Sequence, residues 1–420
     1  MKHTSEQIGP CREQLAWLGD HQPALITLFD AAGAQGGWWE LGCDWSRSFA
    51  RFDPLGSPYC TLLYESQGEH QYLCLVEAYS QPIALHSEHE IGIACAPLGW
   101  VKLTRFPHDP ALLTLPEVLK EAAQVKVVRY RPHLRCTLRV GADRGEAGSF
   151  VKVFPDAYGA AIHETGVLLW NAHTRGELGF HVAQPRRWDA AKLCLWQGQA
   201  PGEPAEPQLL GEQGAVVAHR LGRALATLAN SSVALPEKFD AGWQFARTQA
   251  YLRDLAVSVP QAATSLDALA AALEIIHAAL APGQLRPLHG APHPQQWLAG
   301  EQGYSLVDFD RAGRGDVELD VAAFVAEVDF LNAKRYDVAR INEGFVCGFE
   351  SVAGALDPMR FGLYRAHKHV AKALRLARSV RVDGTVKAAA LLDHVRDNLG
   401  PMCAATTARR WALDSAWKGR

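Results

Sequence analysis

The chain changes periodicity near its middle. Up to about residue 105, short apolar runs such as 59–64 and 72–76 alternate with turn residues, which predicts strands of a small α+β unit. Farther on, runs at 125–130 and 136–140 flank Arg131-Pro132-His133-Leu134-Arg135, and a turn over 141–148 leads to a third run at 149–154. This predicts an antiparallel hairpin and a third strand carrying Lys152. A helix follows, with Ile162, Val167, Leu168 and Trp170 on one side and Glu164 among them, and a strand at 193–197 closes the unit. Pro201, Gly202, Pro204 and Pro207 mark 198–207 as a linker. Beyond it, apolar residues recur at helical spacing over 208–229, 242–258, 265–281, 318–334, 337–355, 358–377 and 385–398. Only 285–315 reads as loop and short strand. Strands first and helices later predict α+β lobes, not βαβ units.

Composition narrows the class. At 420 residues, 48% hydrophobic and 21% charged, the chain is sized for two or three globular units. A formal net charge of −3 gives no global pull toward nucleic acid or membrane, so any anion site must be local. The 9 cysteines are odd in number and form no CxxC pair, which predicts buried thiols in a reducing compartment. Residues 1–6 lead into polar sequence with no apolar signal core, and Asp267, Glu274 and His277 interrupt the most apolar helix. The expectation is a cytoplasmic protein that neither spans a membrane nor binds nucleic acid. Trp38, Trp39 and Trp45 read as core before they read as a ligand cleft.

Candidate chemistry concentrates in a few places. Lys152 lies on an apolar strand, where an ammonium needs a partner, and Glu164 on the next helix is one; alternatively the strand is an edge and Lys152 points to water. Asp308 ends the apolar run 304–307 and is followed by Phe309 and Asp310; a carboxylate there suits Mg²⁺, with Gln296 offering a second oxygen, or it simply turns the chain. His289 and His293 are four apart, but Pro292 and Pro294 forbid the helix that a zinc pair would need. Asp316 stands where an N-cap would, and Asp320 sits one turn into the helix, among apolar neighbours.

Taken together, these pieces resemble the aminoglycoside phosphotransferase and choline kinase-like family over roughly 115–400. The family's catalytic loop reads His-Gly-Asp-x-His-Pro-x-Asn; here it is His289-Gly290-Ala291-Pro292-His293-Pro294-Gln295-Gln296. Its metal strand ends Ile-Asp-Phe-Gly or Ile-Asp-Phe-Asp; here Val307-Asp308-Phe309-Asp310 precedes Ala312-Gly313-Arg314-Gly315-Asp316 and Asp320. The resemblance implies a protein-kinase-like two-lobed α+β fold: an antiparallel-sheet N-lobe over 111–200 and a mainly helical C-lobe over 201–400. An additional α+β region, 1–110, precedes them and a tail, 401–420, follows. It also implies ATP and Mg²⁺, with Lys152 binding phosphate, Glu164 as its helix partner, Leu195-Trp196-Gln197 as the adenine hinge, Asp308 and Gln296 as metal ligands, and Asp320 anchoring the catalytic loop. The loop 131–135 has no Gly, so Arg131 and Arg135 would clamp phosphate instead.

Ala291 is the severe departure, because the Asp that accepts the acceptor's hydroxyl proton is absent. General-base catalysis contributes about 10²–10⁴-fold, whereas positioning and charge neutralisation carry most of phosphoryl transfer. Three readings stay open. The first is an atypical phosphotransferase acting on a hydroxylated metabolite, with His293 or Asp310 as base beside His289. The second is a pseudokinase that binds nucleotide or a protein partner, and the third is a deliberately introduced Asp-to-Ala change. From Val317 onward, Glu327, Asp329, Glu343, Glu350, Arg365 and Arg375 show no dominant sign for an acceptor pocket.

Overall fold

The computed structural model describes residues 14, 17–18, 22–67, 71–121, 124–141, 148–331, 335–381 and 383–418, with backbone alone at 237–238 and 405–418. Residues 1–6, Cys11, the interior of the 141–148 turn, Arg420 and the side chains of Arg409, Arg410, Trp411 and Lys418 lie outside the described residues.

The N-terminal region is a five-stranded antiparallel sheet, order β1-β2-β3-β5-β4, built from β1 (Asp44–Phe52), β2 (Cys60–Gln67), β3 (Leu73–Tyr79), β4 (Glu90–Cys95) and β5 (Gly99–Arg105). Helix α1 (Gln22–Gln35) packs on one face through Phe29, which meets Trp39, Trp45 and Tyr64 edge-on or tilted. Trp38, Trp39 and Trp45 are at most 6% exposed and belong to this core, not to a cleft. The opposite face is covered too. Leu63 and Leu73 pack with Leu112, Leu115 and Val118, and with Tyr130, Leu138, Val151 and Val153 of the next sheet. Residues 1–110 therefore back the following lobe.

That lobe holds α2 (Leu115–Glu121), β6 (Val125–Arg131), β7 (Arg135–Val140), β8 (Ser149–Val153), α3 (Tyr158–Thr174), β9 (Pro185–Asp189) and β10 (Cys194–Gly198), with sheet order β6-β7-β8-β10-β9. Alternation sets its two faces: Val151 and Val153 turn to the backing core, and Lys152 to the other side. β8 is interior, paired with β7 and β10, so the edge-strand alternative for Lys152 is excluded.

The backing region also grips the turn between β6 and β7. His133 has φ +62, and its ring meets Glu77 Oε1 at 2.8 Å and Asp109 Oδ1 at 3.2 Å. Its N–H and the Tyr130 hydroxyl both donate to Asp109 Oδ2, at 2.8 and 2.7 Å. Burial opposes charge on His133, but the two carboxylates outweigh it and raise the imidazole from 6.5 to about 9. Glu77 and Asp109 are held below their ordinary values of 4.5 and 3.8 by His133 despite their burial. A raised histidine stabilises fully below its unfolded pKa and loses that contribution as pH rises through the folded one; the depressed carboxylates contribute above their unfolded values and lose it on acidification. The melting temperature should therefore plateau near pH 5–6.5 and fall through pH 9, with a loss on the order of 2 kcal/mol from this cluster. His133→Gln should lower the plateau and flatten the alkaline decline; an unchanged decline would show that another group causes it.

The C-lobe follows a linker that contributes a two-residue strand, Glu203–Pro204, and a one-turn helix, Glu206–Leu209. Its helices are α4 (Gly214–Asn230), α5 (Ala241–Ser258), α6 (Ala263–Ala279), α7 (Glu318–Val328), α8 (Val338–Ala353), α9 (Pro358–Ala377) and α10 (Gly384–Lys418). Short strands β11 (Arg286–Leu288), β12 (Trp297–Gly300), β13 (Gly303–Leu306) and β14 (Gly313–Gly315) frame the motif loops. α4 and α8 approach closely, since a Cβ on Gly222 would lie 2.1 Å from the Phe345 carbonyl oxygen. Together with the turn before it, α6 forms an apolar helical segment, Pro260–Ala279, long enough to span a bilayer by composition, yet Leu266, Leu269, Leu273 and Ile276 are buried in a core shared with α9 and α10. α10 continues through Gly400-Pro401, across the expected boundary at 400. The backing region touches this lobe as well: Phe52 N–H donates to the Arg378 carbonyl at 2.7 Å, and Arg378 pairs with Asp53.

Asp316 is not the expected cap. It is 3% exposed, and its Oδ2 accepts from Arg360 Nη1 at 2.9 Å and from the Tyr364 hydroxyl at 2.6 Å.

Candidate active site

The two lobes meet at one ion cluster. Lys152 Nζ, on β8, lies 2.9 Å from Asp308 Oδ1 and 2.5 Å from Asp310 Oδ1, and Arg135 from the start of β7 pairs with both carboxylates. Burial works to raise the Asp308 carboxyl, but Lys152 and Arg135 outweigh it and hold the group well below the usual carboxylate range. Burial lowers the Lys152 ammonium, and Arg135 adds to that, against Asp308. Asp308 itself is left-handed, φ +69, a conformation Asp tolerates better than most residues but one that concentrates at functional sites.

Glu164 is not the partner of Lys152. It is exposed on α3, and the ammonium turns to the late carboxylates instead. Ile162, His163, Gly166 and Leu169 of α3 line the site instead, and His163 Nε2 is buried without a hydrogen bond among the described residues.

The catalytic-loop segment is held from behind. The Asp320 carboxylate accepts from the His289 and Gly290 N–H groups at 2.7 and 2.8 Å, which is the anchoring the sequence suggested. Gly290 is φ +86, and a Cβ there would lie 2.3 Å from the Arg311 carbonyl oxygen, so glycine alone fits. His289 is fully buried, with Nε2 3.1 Å from the Val307 carbonyl oxygen, and burial pushes it down to about 4. It positions the loop and does not reach the cleft as a base. Ala291 follows, half-buried. His293 is half-buried and neutral, lowered chiefly by burial, while Asp310 is already committed to Lys152 and Arg135.

Gln296 is buried and its Oε1 accepts from the His293 N–H at 3.0 Å, so its oxygen caps the loop and is not directed at a metal. Asp308 remains as the carboxylate for a divalent ion, and among the described residues no group of three His, Cys, Asp or Glu could hold one. Mg²⁺ ordinarily takes one or two protein carboxylates plus substrate phosphates, so these residues fit the metal only as a companion of a bound phosphate chain.

Leu195 and Gln197 line the cavity beside Lys152, together with Val182, Ala183 and Leu306. Trp196 turns away and carries the Arg187 guanidinium over its ring at 4.8 Å. The segment is strand β10, paired on both edges, so hinge backbone free to meet a base begins beyond Gly198. The cavity is narrow, about 40 Å³. Arg131, half-buried, has no carboxylate within ion-pair distance among the described residues, so two guanidiniums and an ammonium converge here. Their chemistry matches phosphate oxygens, and in this structure Lys152 and Arg135 are paired with the Asp310 carboxylate.

Sequence reading did not single out Arg311, Arg247 or Lys368, cations whose charges act on one another. One signal was available: Arg365, Lys368, Lys372 and Arg375 fall at helical spacing on α9.

The profile of the phosphotransferase enzyme family matches residues 137–353. Among solved structures, amicoumacin kinase in complex with AMP-PNP, Ca²⁺ and Ami is 15% identical with a TM-score of 0.50, covering 67% of this chain and 93% of that one. A glucosamine kinase in complex with glucosamine, ADP and inorganic phosphate is 16% identical (TM-score 0.44; 86% and 96% covered). A choline/ethanolamine kinase family protein from Mesorhizobium loti is also 16% identical (TM-score 0.42; 71% and 92% covered). No curated protein matches the chain in sequence.

Proposed function

Because the chain belongs to the phosphotransferase enzyme family, we propose that it transfers the terminal phosphoryl group of ATP, with Mg²⁺, to a hydroxyl of a small molecule such as a sugar. The observation that supports this is the meeting of Lys152 and Arg135 from the early sheet with Asp308 from the late loop, 2.9 Å from the ammonium. Nucleotide phosphates would displace the Asp310 carboxylate from Lys152 and Arg135, and Asp308 would hold the metal that neutralises the phosphate chain. The acceptor oxygen bonds to phosphorus as the bond to the nucleoside diphosphate breaks, and the hydroxyl proton leaves. In the family pattern an Asp at position 291 takes that proton; here His293 is the neutral group on the same loop able to do so. Such an enzyme is slow, and positioning carries the rate that remains.

A second reading, a pseudokinase that binds nucleotide in a regulatory role, is favoured by Ala291 together with the self-paired cluster, which closes the phosphate site from within. Thermal stabilisation separates the two. Mg²⁺ alone should shift the melting temperature negligibly, ATP should raise it, and the two together should raise it most. ATP consumption with any hydroxylated acceptor then supports transfer. Stabilisation without turnover on any acceptor supports the regulator, and stabilisation by Mg²⁺ alone contradicts the metal assignment.

A further inference from the structure

The turn that presents Arg135 is held by the N-terminal region. Arg131 and Arg135 are the last cross-strand pair of β6 and β7, and the Leu134 N–H donates to the Arg131 carbonyl at 3.1 Å, so the connection between them is tight. Turns of this kind favour glycine wherever φ is positive. Here His133 takes that conformation, at φ +62, and its N–H and both ring nitrogens are bound. The N–H donates to Asp109 Oδ2 at 2.8 Å, Nδ1 lies 3.2 Å from Asp109 Oδ1, and Nε2 lies 2.8 Å from Glu77 Oε1.

The two carboxylates are themselves fixed. Asp109 is buried and also accepts from the Tyr130 hydroxyl at 2.7 Å and from the Ala111 N–H at 2.8 Å. Glu77, buried on β3, pairs through Oε2 with the buried Lys102 of β5 at 2.9 Å. Two residues after His133, Arg135 turns to the cleft and pairs with Asp308 and Asp310 beside Lys152. One short turn therefore joins the N-terminal region on one side to the phosphate end of the cleft on the other. A guanidinium on a mobile loop must be ordered before it can hold a phosphate, and that ordering subtracts from affinity. Pinning at His133 completes the ordering during folding, before any ligand arrives.

We propose that Glu77 and Asp109, acting through His133, position Arg135 for the phosphates of a bound nucleotide, so that the N-terminal region is a working part of the nucleotide site. The nucleotide itself rests on the phosphotransferase reading. His133 is a positioning residue here, since it acts only through Arg135, and a double-variant cycle tests that directly. The full chain is titrated with AMP-PNP and Mg²⁺ as the parent, His133→Gln, Arg135→Gln and the variant carrying both changes, with circular dichroism showing that each is folded. The ordering of one long side chain predicts a roughly three- to tenfold weaker dissociation constant for His133→Gln. In the Arg135→Gln background the same change should weaken binding no further, because no guanidinium is left to position. Asp109→Asn, which keeps His133, should repeat both results. Affinities that His133→Gln and Asp109→Asn leave within about twofold of the parent overturn the proposal and leave the nucleotide site standing. So does an equal loss with and without Arg135, which would mark a general loosening of the lobe. A parent chain that does not bind AMP-PNP overturns the nucleotide reading, and the proposal with it.

Discussion

Ala291→Asp is expected to raise turnover on any accepted substrate by about 10²–10⁴-fold, the contribution of a positioned general base. The loop that would present the new carboxylate is already built: Asp320 fixes the His289 and Gly290 N–H groups, and Gly290 takes the one backbone conformation that clears Arg311. Nucleotide affinity should change little, because position 291 is not among the groups converging on the phosphate site. A steady-state assay with a coupled ADP readout checks this. A rate within threefold of the parent would mean that a base is not what limits this site, and would move the weight to the regulatory reading.

The second large effect is structural. Asp316→Ala would leave the Arg360 guanidinium and the Tyr364 hydroxyl buried around a missing carboxylate. Removing one partner of a buried pair costs about 3–5 kcal/mol, much of it the uncompensated charge. For a lobe of this size that corresponds to a melting-temperature loss of roughly 10 °C. The Asp316→Leu, Arg360→Met double variant removes both charges and should recover more than half of the loss, since replacing a buried pair by apolar groups is often neutral. A double variant as unstable as the single one would show that packing of the Asp316 loop, and not the stranded cation, sets the cost.

Much of the fold could be read before any coordinates. Val125–Arg131, Arg135–Val140 and Ser149–Val153 follow the alternating runs, and most C-lobe helices follow the 3.6-residue spacing because they bury one face, while α7 is buried almost all round. What could not be read is which charge meets which. Glu164 stands one helix from Lys152 in sequence, but the partners of Lys152 lie 156 and 158 residues downstream, and no local pattern encodes that approach. Asp316 looked like a cap because the distance to Arg360, 44 residues away, is invisible in one dimension. The same holds for His133, whose carboxylates come from a region that carries no motif at all.

The most direct test of the account is the affinity of the full chain for AMP-PNP with Mg²⁺ before and after Lys152→Met, measured by titration calorimetry. Arg135 remains to compensate Asp308 and Asp310 in the variant, so the fold should survive. Loss of one charge-assisted contact to phosphate predicts a roughly 10–100-fold weaker dissociation constant. An affinity unchanged by the substitution, in a variant shown to be folded, would contradict the assignment of Lys152, and of the cluster around it, to a nucleotide's phosphates.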